Sequence, residues 1–94
     1  MRIIVRAFAT IRELLGTGYV EVLLEDGSDV RTLLKTLTKK FGEGLRNQIL
    51  VSEEKLAPYV KVLINGRDIE YLSGMGTILK DGDEVAIIPP VAGG

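Results

Sequence analysis

The sequence ends on two glycines, Gly93 and Gly94, directly behind Pro89-Pro90-Val91-Ala92. Glycine has no Cβ, so such an end can slide through a channel too narrow for other side chains. An α-carboxyl group titrates near about 3.5 and is ionised at neutral pH, which makes it a poor electrophile until a leaving group is attached. Once activated it is an acyl donor, and the sequence offers no comparable reactive group elsewhere. Pro89 and Pro90 favour extended polyproline geometry, which holds the end off the globule and keeps it from pairing as a central strand. Six extended residues reach about 20 Å at most. Terminal glycines also close idle chain ends. Position argues for use: Glu84-Val85-Ala86-Ile87-Ile88 reads as a buried strand, so the division expected is a body over 1–88 and an extended arm over 89–94.

What the sequence lacks narrows the chemistry. There is no cysteine and no histidine. Disulfides, zinc fingers, thiolate nucleophiles and the commonest general base near neutral pH are therefore excluded. Neither a bound cofactor nor a metal is expected. A net charge of -1, from twelve basic and thirteen acidic residues, lacks the positive bias of an autonomous nucleic-acid binder. Lys35, Lys39 and Lys40 share a helix and read as a solvated face. No apolar run is long enough to span a bilayer, and Arg6 interrupts the apolar start, unlike a signal peptide. The expectation is a cytoplasmic protein with no membrane partner.

One domain of 94 residues must position the arm. Arg2 to Phe8 reads as a strand. Thr10-Ile11-Arg12-Glu13 fits a capping box opening a short helix that Gly16 stops. Tyr19 to Leu24 alternates as a second strand, with Val20, Val22 and Leu24 on one side, and Asp26-Gly27 turns the chain. Ser28 or Asp29 caps the main helix, whose stripe is Val30, Leu33, Leu34, Leu37 and Phe41, and Gly42 ends it. Over 43–57 the pattern is weakest: Leu45 and Ile49 suit a turn or short helix, and Ser52-Glu53-Glu54-Lys55 an exposed loop or a second helix start. Tyr59 to Ile64 is a strand, Asn65-Gly66 a hairpin turn into Arg67-Asp68-Ile69, Tyr71 to Leu79 irregular, and Asp81-Gly82-Asp83 the turn into the last strand. This order gives an α+β fold of the β-grasp type: a mixed sheet of about four to five strands, one main helix across one face, and short extra helices. The first and last strands are expected as central, parallel neighbours.

One helix covers one face only. If Ile3, Val5, Val85 and Ile87 point toward it, then Ile4, Phe8, Ala86 and Ile88 point away. Apolar clusters left in the open mark interaction sites, here where the arm departs. The segments 43–57 or 69–79 would cover part of this patch in the alternative arrangement.

Three stretches now carry a family resemblance: Pro89-Pro90-Val91-Ala92-Gly93-Gly94, Asp81-Gly82-Asp83-Glu84-Val85-Ala86, and Phe8-Ala9 with Arg12-Glu13-Leu14-Leu15-Gly16. With Val62 to Gly66 they span the chain in order. The sequence resembles the MoaD/ThiS family of ubiquitin-like sulfur carriers and, within it, the small subunits of molybdopterin synthase. Segment 43–57 is longer than in the most compact members. The resemblance implies that Gly94 is adenylated by an E1-like, MoeB-like enzyme using ATP, and that a sulfur donor converts the adenylate to a thiocarboxylate. A MoaE-like large synthase subunit would then pass that sulfur to precursor Z in molybdenum cofactor synthesis. Gly93 gives clearance, Pro89, Pro90, Val91 and Ala92 form the inserted arm, and Phe8, Ile88 and Ile4 dock the partner. On this reading the chain is not catalytic alone; it is the sulfur-donating subunit of a transferase complex. The same tail chemistry would serve thiamine synthesis, transfer-RNA thiolation or a ubiquitin-like modifier joined to lysines, and an inert binding module is the remaining alternative.

Overall fold

Ile3, Val5 and Ala7 share one side of an extended segment. In the computed structural model, which describes residues 1–90, they form the buried face of strand β1 (Arg2–Ala7). Helix α1 (Ala9–Leu15) follows directly and ends on Gly16, whose φ of 76° supplies the left-handed stop. The capping box is not realised. Phe8 occupies the N-cap without a side-chain bond, and its carbonyl accepts from the amides of Ile11 (3.1 Å) and Arg12 (3.3 Å). Thr10 lies within the helix; Ala9 and Thr10 are exposed, so water can satisfy their amides, while the Arg12 amide that a threonine cap could have taken is already held by Phe8.

Strand β2 (Tyr19–Leu23) pairs antiparallel with β1. At the main helix α2 (Val30–Phe41), Asp29 rather than Ser28 is the cap, accepting from the Thr32 amide at 2.9 Å. Val30, Leu33, Leu34 and Leu37 are fully buried and join Ile3, Val5, Val62, Val85 and Ile87 in one core. Burying each such side chain contributes about 1.5–3 kcal/mol before entropy is counted. Gly42 ends α2 and admits a second short helix, α3 (Glu43–Ile49), which buries Leu45 and Ile49. Ser52 to Lys55 is no helix start: it links β3 (Leu50–Ser52) to β4 (Lys55–Leu56) as a hairpin.

Strand β5 (Lys61–Ile64) begins two residues later than the sequence suggests, because Tyr59 has a φ of 65°, outside the strand region. Asn65 and Gly66, at φ 50° and 86°, turn it into β6 (Arg67–Asp68). Ile69 leaves the strand for a 3-10 turn over Ile69–Tyr71, and a second such turn spans Gly74–Gly76. The last strand, β7 (Glu84–Ile88), enters the middle of a sheet ordered β2-β1-β7-β5-β6. It runs parallel to β1, matching Ile4 to Glu84 through Ala7 to Ile87, and antiparallel to β5. Among the described residues no helix is long and apolar enough to cross a membrane.

Candidate functional site

Strand alternation settles which side chains face away from the helices. On β1 and β7, Ile3, Val5, Val85 and Ile87 are wholly buried, whereas Ile4, Ala86 and Ile88 are only half-buried. Phe8, one residue past the end of β1, is 45% exposed, a large apolar ring left in solvent. The β1–β7 register, continued by one step, sets Phe8 beside Ile88. The predicted docking residues thus lie on the open sheet face, although Ile4 stands toward the far end of β1 from the other two.

Two further residues that the sequence reading did not single out complete the patch. Leu63 of β5 pairs with Ala86 and is half-buried on the same face, and Arg6 pairs with Ala86 from the other side. Period-two alternation through Lys61, Leu63 and Asn65 was the available signal. Charged pairs frame the apolar centre: Arg6 with Glu84, Arg2 with Glu21 at 3.5 Å, and Lys61 with Asp68 at 3.6 Å. The Arg6–Glu84 and Arg2–Glu21 pairs are exposed on both sides and worth about 0–1 kcal/mol each, so they stabilise the body little; in the third pair the Asp68 side chain is only 15% exposed. Toward the β2 edge the Tyr19 hydroxyl donates to Glu21 at 2.9 Å, and this bond holds the phenol above its usual pKa. Leu23 at that edge is 78% exposed.

The start of β7 is fixed by a polar knot. Asn65 donates through Nδ2 to Asp83 Oδ1 at 2.9 Å and accepts from the Glu84 amide at 3.0 Å, while Asp83 Oδ2 accepts from the Lys80 amide at 2.8 Å. At the other end of the strand, Pro89 is buried and Pro90 exposed. Pro89 therefore belongs to the body's packing as well as to the arm. Val91, Ala92, Gly93 and Gly94 lie outside the described residues, as does the predicted extended geometry of the arm beyond Pro90.

An apolar sheet face thus lies beside the end of a central strand. Comparison with known proteins identifies the class of protein that carries it. The model of the ThiS family matches residues 5–94, and the chain belongs to this family of ubiquitin-like sulfur carriers. It is similar to small archaeal modifier protein 3 of Haloferax volcanii, with 39% identity over 94 residues and full coverage of both chains. It is also similar to a molybdopterin synthase sulfur carrier subunit of Chlamydomonas reinhardtii, with 35% identity over 95 residues and full coverage of both. The crystal structure of SAMP1 from Haloferax volcanii superposes with a TM-score of 0.85 at 26% identity over the whole of both chains. The β-grasp, ubiquitin-like fold read from the order of elements is the fold observed.

Proposed function

We propose that this protein carries sulfur on its own C-terminus, as the small subunit of a molybdopterin synthase. The Gly94 carboxylate attacks the α-phosphorus of ATP on an E1-like enzyme, giving an acyl-adenylate and pyrophosphate. A sulfide equivalent from a donor then displaces AMP and leaves a thiocarboxylate. On a MoaE-like large subunit that sulfur passes to precursor Z, and hydrolysis returns the carboxylate. The chain contributes no acid, base or metal to these steps: it supplies the acyl group, the arm and the docking face. The observation that carries this reading is the half-buried apolar patch around Phe8, Ala86 and Ile88, set where the strand leading to Gly94 leaves the body. Full-length similarity to a molybdopterin synthase carrier subunit supports the acceptor.

Intact-mass measurement after incubation with a cognate activating enzyme, ATP and a sulfur donor tests the first half. A gain equal to one oxygen replaced by sulfur is expected; an unchanged mass would falsify it. A chain with one residue appended to Gly94 should fold normally yet gain nothing, because its carboxylate is displaced by up to about 3.5 Å. Copurification with a large synthase subunit tests the second half. The 39% identity to a small archaeal modifier favours a second reading, in which a lysine amine displaces AMP. Isopeptide-linked diglycine remnants on cellular lysines, with no synthase partner recovered, would select it.

A further inference from the structure

Left-handed backbone is uncommon for any residue with a Cβ and an outlier for a bulky one. Among the described residues, Ala9 (φ 50°), Tyr59 (φ 65°) and Asn65 (φ 50°) adopt it outside glycine. Asn65 sits with Gly66 in the two-residue hairpin turn, where that conformation is required. The other two flank a single point from opposite sides. The β1–β7 ladder ends at the Ala7–Ile87 pair and the β5–β7 ladder at Lys61–Ile88, so Ala9 and Tyr59 each lie two residues beyond the end of their ladder, and Tyr59 shares a groove with Pro89 and Pro90. Both neighbours of β7 thus turn out of the ladder where the arm leaves it. Tyr59 adopts positive φ as the third residue of the Ala57–Val60 turn, where Pro58 precedes it and the Val60 amide donates to the Ala57 carbonyl at 3.2 Å; the residue is 82% exposed, so the turn stands its ring in solvent and not in the core. It lines an open groove of about 870 Å³ shared with Leu56, Met75, Ile88, Pro89 and Pro90.

We propose that Tyr59 is a docking residue for the enzyme that activates Gly94, with the left-handed backbone standing its ring beside the root of the arm as counterpart to Phe8 on the other side. The proposal rests on the carrier reading above. Chain length supplies the occupant of the groove: the five residues from Pro90 to Gly94 reach at most about 17 Å, so an enzyme holding the terminal carboxylate must bring its surface against that root. A large, rigid ring with a polar tip is the side chain that dominates such contacts.

ATP–pyrophosphate exchange by the cognate activating enzyme provides the test. Tyr59→Asn, which suits positive φ, is expected to raise KM for the carrier about tenfold or more with kcat unchanged, while Tm holds or rises. Tyr59→Phe should restore KM. Exchange with wild-type KM in Tyr59→Asn overturns the proposal alone, and a raised KM accompanied by a lowered Tm assigns the ring to folding and overturns it too. Absence of exchange with the unaltered chain overturns the carrier reading and this inference with it.

Discussion

Phe8 and Ile88 stand side by side at the end of β7, and neither is needed to fill the core, since Ile3, Val5, Val85 and Ile87 do so from the opposite side of the same strands. A charge at either position should therefore strike binding before folding. Phe8→Asp and Ile88→Asp are each expected to weaken the activating enzyme's affinity by about tenfold or more. Their melting temperatures should fall by less than the roughly 4–8 °C that one kcal/mol produces in a domain of this size. Calorimetry that found full affinity together with a large drop in melting temperature would place both side chains in the core and remove the docking surface.

At the level of elements, α2 depends on two separable features, its apolar stripe and its start. Asp29 caps that start through Oδ1, which accepts from both the amide and the hydroxyl of Thr32. Asp29→Ala should cost about 1 kcal/mol, and Asp29→Asn much less, as read from urea denaturation; an undiminished midpoint in the alanine variant would contradict the cap. This helix was legible because twelve residues repeat the buried stripe at helical spacing and a cap residue precedes them. The Asn65-Gly66 turn was equally plain, since few other pairs tolerate two positive φ angles. Segment 43–57 was not: α3 spans seven residues with Gly44 inside it, too short for periodicity to outweigh its composition. Thr10 misled because a strand running straight into a helix can open it with a backbone carbonyl, leaving the threonine unused. Tyr59 was invisible for a different reason: tyrosine favours strands, and only the fold reveals that its φ does not. Of the candidate site, alternation correctly gave the open face but could not tell which side chains stand nearest the exit.

Taken as a whole molecule, the sheet is built around its last strand. β7 has a hydrogen-bonded neighbour on each side, β1 and β5, whereas β2 and β6 close the edges. Backbone amides of Val5, Val85 and Ile87 should accordingly exchange with deuterium only through global opening, and those of β2 sooner. Edge amides of Tyr19 to Leu23 outlasting them would mean that stability is distributed otherwise. The parallel pairing of β1 with β7 has a mechanical corollary. An unfolding machine that gripped the C-terminal end would load β7 along its own axis, against both flanking ladders at once, so the bonds would have to shear together rather than unzip in turn. Traction from that end meets the most resistant part of the domain, and degradation begun there would be governed by the slow rate of forced unfolding.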